Sequence, residues 1–197
     1  MNIMKITNIS EDEIEENKKY ILTFLGSVDR PGIDKLIEYL NSTNFFYDPA
    51  SAYYHGAFKD GLALHSIEVF KTLRNYKWSS LFEADDDEII ISALMHDICK
   101  ANTYSLTLKN VKENGEWIQV QSYKNERPEF PYGHSEKSVD ILRDFIPLTL
   151  NEKLAIRYHM GPYDSKENWN DLGYAQELSP LAFWLHVADA FVSRYIC

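Results

Sequence analysis

The stretch SALMHDICKA, residues 92–101, decides how this chain is interpreted. It ends a strongly apolar run and places His96 directly before Asp97, two side chains that can bind a metal ion. The chain has six histidines and fourteen aspartates among 197 residues, so chance alone often supplies such a neighbouring pair. The pair becomes informative only if other ligand-type residues lie on elements that the fold can bring beside it.

The composition predicts one globular domain with a sizeable core. The chain is 197 residues long and 45% hydrophobic, which fits a single domain. Its apolar runs are shorter than the roughly 18 residues that cross a membrane. The N-terminus is polar and acidic, unlike a signal peptide, and Cys99 and Cys197 cannot form a disulfide framework. We therefore expect a cytoplasmic location and no membrane association.

The formal net charge of −10 limits the possible partners. Proteins that bind duplex nucleic acid normally present a basic face, so no duplex partner is expected. A small phosphorylated substrate, or a short single strand held at a metal site, remains compatible with this charge. In those cases the metal ion itself supplies the local positive charge. The sequence does not indicate an oligomeric state.

Hydrophobic periodicity predicts a mainly α-helical bundle. Asp85 with Glu88, and Thr149 with Glu152, match the capping-box pattern at helix starts. Pro180 after Ser179 marks the start of the last helix. The helices are expected at about 8–26, 32–41, from 61 onward, 86–99, 134–145, 150–159 and from 180 onward.

Residues 103–124 change from the helical to the strand period. β-Branched and aromatic residues flank Asn114-Gly115, a typical two-residue hairpin turn. The predicted fold class is therefore mainly α, with a β-hairpin inserted at about 103–124.

Six histidine and aspartate side chains lie on or beside the apolar stripes of five predicted helices. Ligands that project from separate helices of a bundle converge in its core. Four imidazoles and two carboxylates suffice for two metal ions if one carboxylate bridges them. The six residues are His65, His96, Asp97, His134, His159 and Asp189.

The order of these residues resembles the HD superfamily of metal-dependent phosphohydrolases. The matching segments read GLALHS, MHDICK, GHSEKS, RYHM and HVADA. The sequence is most similar to stand-alone bacterial and phage HD proteins and to the HD domain of a bacterial 3′-to-5′ exoribonuclease. The resemblance implies one HD domain, with a metal-binding core at about 45–195 and an N-terminal helical extension at about 8–44.

The resemblance also implies a ligand set. A first metal ion is expected on His65, His96, Asp97 and Asp189. A second ion is expected on His134, His159 and Asp97, which then bridges the two. One-metal members of the superfamily often lack the two middle histidines, so their presence here favours a two-metal site.

The chemistry of such a site is hydrolysis of a phosphoester. Two ions about 3.5–4 Å apart can generate a hydroxide near neutral pH and clamp the phosphoryl oxygens. Ligand sets rich in imidazole suit Mn, Fe, Co, Ni or Zn better than Mg. We expect a nucleotide substrate, either a phosphomonoester or a phosphodiester. The alternative is a metal-bearing nucleotide-binding or sensor module with little turnover.

Lys100 and His55 are candidates for catalysis beside Asp97. Lys100 resembles the family's lysine after the HD pair and is expected to contact a substrate phosphate, although it could be a solvated side chain. His55 could orient the substrate or protonate a leaving group, or it could be an ordinary turn histidine. His186, one turn before Asp189, is expected to support a ligand or pack in the core.

The sequence departs from the family pattern at two places. Cys99 stands where the family often has glycine, and Asp60-Gly61 stands where it often has two glycines. Neither departure removes a ligand. A lone histidine on an apolar helical face is more often a core residue than a ligand, so purely structural histidines are the remaining alternative.

Overall fold

Helices form most of the structure, a computed structural model that describes residues 9–126 and 133–197. Strands β1 (Tyr104–Glu113) and β2 (Glu116–Asn125) form an antiparallel hairpin. The prediction of a mainly α fold with an inserted hairpin is confirmed. Within the described ranges, no helix combines the length and hydrophobicity that a membrane crossing requires. The α-helices are α1 (Glu11–Gly26), α2 (Ile33–Ser42), α3 (Gly61–Trp78), α4 (Asp86–Met95), α5 (His134–Arg143), α6 (Leu150–Tyr158), α7 (Trp169–Leu178) and α8 (Pro180–Tyr195).

Helix α4 lies at the centre of the bundle. Every residue from Glu88 to Met95 is buried, as expected for a helix that is apolar on all sides. Helices α3, α6 and α8 pack around it, with α3 and α6 also contacting α8. The C-terminal end of α4 therefore delivers the residues that follow it into the middle of the protein.

The capping signals of the sequence form as predicted. The Thr149 hydroxyl accepts from the Glu152 backbone N–H at 3.2 Å, and the Glu152 carboxylate accepts from the Thr149 N–H at 2.7 Å. At α4, the Asp85 backbone N–H donates to the Glu88 carboxylate at 3.3 Å. These local bonds fix where α4 and α6 begin.

The predicted end of α4 is wrong. The helix was expected to reach residue 99, but it stops at Met95, and a 3-10 turn covers Ile98–Lys100. The His96 imidazole bonds to the Ala93 carbonyl at 2.9 Å and so provides a partner for a carbonyl at the helix end. Asp97 then leaves the helical region, with φ −110° and ψ 17°.

Helix α7 was not predicted. Its sequence, WNDLGYAQEL, contains Gly173 and buries only Leu172 and Ala175. Trp169 and Leu178 lie at helical spacing with them but are exposed, so the buried apolar stripe is short. Helix α7 packs against α6 and α8, so its formation depends on tertiary packing.

The hairpin turn has the geometry that its residues predict. Asn114 and Gly115 have φ values of 50° and 91°, as a type I′ turn requires at both central positions. In the described part of the chain the two strands pair only with each other. At the base of the hairpin, the Tyr104 hydroxyl donates to the Ala50 carbonyl at 3.3 Å, which links the hairpin to the 44–60 loop.

A buried ion pair joins the α1–α2 connection to the start of α6. Both Glu152 oxygens accept from Arg30 Nη1 at 2.7 Å, and the same nitrogen donates to the Pro147 carbonyl at 3.2 Å. The Glu152 side chain has no exposed surface, and the Arg30 side chain is 12% exposed. Removing one member of such a pair leaves an uncompensated buried charge.

We therefore predict that Arg30→Met lowers the free energy of unfolding by about 3–5 kcal/mol, the cost of stranding a buried charge. Urea unfolding followed by circular dichroism measures the change. Arg143→Met is the matched control, because Arg143 and Asp140 form an exposed pair at 3.8 Å and should contribute less than about 1 kcal/mol. Equal effects of the two substitutions would show that the Arg30 pair does not stabilise the fold.

Asp60 is a buried acid at the start of α3. It has a positive φ of 65°, a region that favours glycine and tolerates Asp and Asn. A side chain at the next position, Gly61, would collide with the Gly56 carbonyl oxygen. Burial raises the pKa of Asp60 to about 8, although the Asn17 side-chain N–H, at 2.8 Å, and the charge of Lys59 act to lower it.

This shift predicts a pH dependence of stability. The pKa of Asp60 is about 8 in the folded protein and about 3.9 in an unfolded chain. The folded state therefore binds the proton more tightly, and stability falls as the pH rises from about 4 to about 8. Asp60→Asn imitates the neutral carboxyl and tolerates the same backbone conformation. The variant should gain stability over the wild type as the pH rises, reaching about 1–3 kcal/mol at pH 8–9.

Thermal unfolding at pH 5, 7 and 9 tests this prediction. The difference between Asp60→Asn and the wild type should be smallest at pH 5. A constant difference across this range would mean that the Asp60 carboxyl titrates normally in the folded protein.

Candidate metal centre

His96 and His159 are oriented by the same local contact. Each is the residue that ends a helix, α4 or α6, and each ring Nδ1 bonds to the carbonyl three residues earlier. The distances are 2.9 Å to Ala93 O and 2.7 Å to Ile156 O. A carbonyl can only accept, so each Nδ1 carries the proton and each Nε2 presents a lone pair. This is the tautomer in which a histidine binds metal through Nε2.

The Asp97 carboxylate lies between two groups of histidines. Its Oδ2 is 3.3 Å from His96 Nε2 and 3.9 Å from His65 Nε2. Its Oδ1 is 3.5 Å from His159 Nε2 and 3.7 Å from His134 Nε2. The two oxygens of one side chain thus face two different pairs of imidazoles.

Two overlapping groups of potential ligand atoms surround this carboxylate. His65, His96 and Asp189 form one group, and His96, Asp97 and His159 form the other, with all ligand atoms of a group within 4.8 Å of one another. His65 Nε2 is 3.1 Å from Asp189 Oδ1. In the second half of the site, His134 Nε2 lies 3.2 Å from His159 Nε2. The structure therefore brings together all six residues that the sequence selected.

The buried ligand atoms fit a divalent metal ion. His65 Nε2, His96 Nε2 and Asp97 Oδ1 are fully buried, and none has a hydrogen-bond partner within the described ranges. A buried polar atom without a partner costs about 1–3 kcal/mol. Lone pairs of imidazole and carboxylate that converge without donors are suited to a cation. A set of purely structural histidines would be expected to pair these atoms with hydrogen-bond donors.

The charge states of His65, Asp97 and Asp189 suit metal binding, which requires neutral imidazoles and ionised carboxylates. Burial would lower the pKa of His96, but the charge of Asp97 raises it. Burial lowers the pKa of His65 and keeps the ring neutral. Burial alone would raise the pKa of Asp97, but Lys100 and His96 hold it well below its usual range. The Asp189 side chain is 14% exposed, and although burial acts to raise its pKa, the contact with His65 holds that pKa low.

Lys100 contacts the Asp97 carboxylate directly. Its ammonium lies 2.7 Å from Asp97 Oδ2, across the 3-10 turn that connects them. Burial would lower the pKa of Lys100, but the charge of Asp97 raises it above its usual value. The cation is therefore permanently charged and lies at the edge of the site, with 19% of its side chain exposed.

His55 reaches the same site from the 44–60 loop. Its ring centroid lies 4.9 Å from that of His65, and its Nε2 is buried without a partner in the described structure. Burial, followed by the charges of His65 and Lys100, lowers the pKa of His55 to about 3, which makes the ring neutral. His55 lies in a turn, as one interpretation of the sequence expected, and its ring is beside that of His65; a catalytic role for it stays a prediction.

His186 supports the metal centre from α8 without reaching it. Its Nδ1 bonds to the His159 carbonyl at 2.8 Å. Gly161, with φ +55°, lies against the same ring, and a Cβ there would come within 2.5 Å of it. The sequence-based expectation that His186 supports a ligand matches this contact.

Further supporting contacts were not visible in the sequence. Arg157 pairs with Glu136 of α5 at 2.6 Å and with Asp164 at 2.8 Å. The pair with Glu136 joins the start of α5, which begins with His134, to the end of α6, which is followed by His159. Sequence spacing does not predict such pairs, because the two partners come from different elements. The Cys99 backbone N–H also donates to Ser138 Oγ of α5 at 3.4 Å.

The HD-domain family profile matches residues 62–193. The chain belongs to the HD-domain family, whose members bind divalent metal ions and are typically metal-dependent hydrolases. A search of curated proteins and a search of solved structures each returned no match. The narrower likeness to the HD domain of an exoribonuclease therefore stays a prediction.

We predict that Asp97→Ala removes bound metal and leaves the helical fold intact, because the substitution deletes the oxygens that face both histidine pairs. Metal content after Mn or Ni loading, with circular dichroism as the check on folding, measures the effect. Asp140→Ala, at an exposed position of α5, is the control. If Asp97→Ala retains the wild-type metal content, the central placement of this carboxylate in metal binding is wrong.

Proposed function

We propose that this protein is a metal-dependent phosphohydrolase that cleaves a phosphoester of a nucleotide at a two-metal site. The observation that supports two ions is the position of Asp97, with Oδ2 towards His65 and His96 and Oδ1 towards His134 and His159. A carboxylate that offers one oxygen to each of two ligand groups has the geometry of a bridging ligand. Asp189 completes the first group through its contact with His65.

The charge of the ligand set favours an anionic substrate. Four neutral imidazoles and two carboxylates offset only part of the charge of two divalent ions, so the loaded site attracts a phosphate. Bound ions would lower the pKa of a water and neutralise phosphoryl oxygens. Because four of the six ligands are imidazoles, Mn, Fe, Co, Ni or Zn suits the site better than Mg.

Lys100 is placed to hold the substrate phosphate. Its ammonium has three N–H donors and lies at the partly exposed edge of the site, 2.7 Å from Asp97. A phosphate at the metal centre would lie within reach of the remaining donors. The ammonium would then steady the charge that develops on the phosphoryl oxygens.

His55 is placed to orient the substrate or the leaving group. Its buried Nε2 has no partner among the described residues and lies on the His65 side of the centre. A neutral imidazole can donate or accept one hydrogen bond at this atom. In this proposal His55 positions a substrate oxygen beside the first metal group.

The proposed substrate is a small phosphorylated molecule in the cytoplasm, and a duplex nucleic acid is not expected. The net charge of −10 would repel a long polyanion outside the immediate reach of the metal ions. A single nucleotide or a short strand end carries few charges and avoids this repulsion.

A metal-supplemented substrate panel tests the proposal. The purified full-length protein is loaded with Mn or Ni and assayed on nucleoside mono-, di- and triphosphates, dinucleotides and a generic phosphodiester. Metal-dependent release of phosphate or of a nucleoside product supports the hydrolase. Metal and nucleotide that bind without cleavage would instead support the alternative, a metal-bearing sensor module.

We predict that Lys100→Met lowers kcat/KM by about 10- to 100-fold, the worth of a charge-assisted hydrogen bond to a phosphate. Metal content should stay equal to or above that of the wild type, because a positive charge beside the cation site has been removed. Lys137→Met, which removes a lysine of α5, is the control and should leave kcat/KM unchanged. Unchanged activity of Lys100→Met would mean that Lys100 has no contact with the reacting phosphate.

A further inference from the structure

A groove of about 530 Å³ lies between the 44–60 loop and the base of the β1–β2 hairpin. This volume is within the range of about 300–1,000 Å³ that is typical of small-molecule sites. Its walls combine aromatic rings with hydrogen-bonding side chains. The lining residues that matter here are Tyr47, Asp48, Lys59, Tyr104, Gln121 and Tyr123.

Both walls of the groove belong to segments that also carry residues of the candidate metal centre. The loop wall belongs to the segment that carries His55 beside His65. The hairpin wall begins with Tyr104, which follows Lys100 closely, and Thr103 Oγ1 donates to the Lys100 carbonyl at 2.6 Å. Tyr104 is close enough to Lys100 and Asp97 for their charges to act on its hydroxyl, although burial is the main cause of its raised pKa.

The two walls are fixed to each other by hydrogen bonds. The Tyr104 hydroxyl donates to the Ala50 carbonyl at 3.3 Å, which connects the hairpin to the loop. Asp48 Oδ2 accepts from the Asn102 backbone N–H at 2.6 Å, just before β1 begins. These two bonds connect the hairpin wall of the groove to its loop wall.

The side chains of the groove match a flat heterocycle with polar edges. Tyr47 and Tyr123 come from opposite walls and are each partly exposed, so their rings can stack on a base. Asp48 and Gln121 offer hydrogen-bonding groups for the edge of such a base. A phosphorylated sugar would use the metal centre but would leave these rings without a matching surface.

We propose that this groove holds the nucleobase of the substrate while the phosphate lies at the metal centre. The proposal rests on the phosphohydrolase function proposed above and assigns a binding site to the base of its nucleotide substrate. It also gives the inserted hairpin a role, since β1 and β2 supply Tyr104, Gln121 and Tyr123.

Matched pairs of substrates, with and without a base, test the proposal on the full-length metal-loaded protein. AMP is compared with ribose 5-phosphate, and a dinucleotide with its abasic counterpart. Tyr123→Ala should lower kcat/KM by about 5- to 100-fold for the base-bearing member, the effect of one lost stacking contact. The base-free member should change by less than about twofold, and Tyr123→Phe should retain wild-type preference.

Two further variants distinguish the loss of a base contact from a local folding defect. Tyr47→Ala removes the ring on the opposite wall and should reproduce the loss of preference. Trp117→Ala removes an exposed aromatic residue near the hairpin turn, outside the groove, and should leave it unchanged. Equal losses on both members of a substrate pair, or no loss on the base-bearing member, would overturn the proposal.

Direct binding of free nucleosides separates this proposal from the hydrolase function. If the wild type hydrolyses none of the substrates, yet binds adenosine or guanosine in a titration that Tyr123→Ala weakens at least about fivefold, the base site stands and the hydrolase proposal fails. If the wild type hydrolyses base-free and base-bearing substrates equally and binds no nucleoside, the base site fails and the hydrolase stands.

Discussion

The Asp97 carboxylate lies at the buried end of α4, within 4 Å of four imidazoles and one ammonium. Isolating an ionised carboxylate from water is costly, and the Lys100 ammonium, 2.7 Å away, offsets part of that cost. The imidazole lone pairs around the carboxylate leave room for a metal cation to offset the rest. The elements that carry the contacting side chains pack around this carboxylate. They are α3 with His65, α5 with His134, α6 with His159 and the 3-10 turn with Lys100.

The same constraint explains the break after α4. A helix that continued to residue 99 would carry His96 and Asp97 at regular helical spacing. Instead, the chain turns at His96, whose ring bonds to the Ala93 carbonyl. His159 ends α6 through the equivalent contact with Ile156 O. Both helices thus finish with an imidazole whose Nε2 faces the carboxylate. The same Nδ1–carbonyl bond lies at the end of the helix and orients the ligand.

Much of the fold follows from local signals in the sequence. Capping residues such as Thr149 and Glu152 act within one turn, and Asn114-Gly115 sets its own turn type, so both could be predicted from a few neighbouring residues. Helix α7 could not, because its buried surface is small and its partners, α6 and α8, are formed elsewhere in the chain.

The six candidate ligands could be selected from their order, but their arrangement could not. Which oxygen of Asp97 faces which histidine depends on the rotation of α3, α5 and α6 about their axes. The contacts of His186 with the His159 carbonyl and of Arg157 with Glu136 likewise cross between elements. The groove beside the hairpin has the same origin, since Tyr47 and Tyr123 are far apart in the sequence and meet only in the folded chain.

The position of bound metal is the most direct test of a shared, bridging Asp97. Anomalous diffraction from crystals loaded with Mn or Zn would locate each ion. We expect two ions about 3.5–4 Å apart, each on a different oxygen of Asp97. The first should contact His65, His96 and Asp189, and the second His134 and His159. A single ion, or ions that leave one Asp97 oxygen without a metal contact, would contradict this expectation.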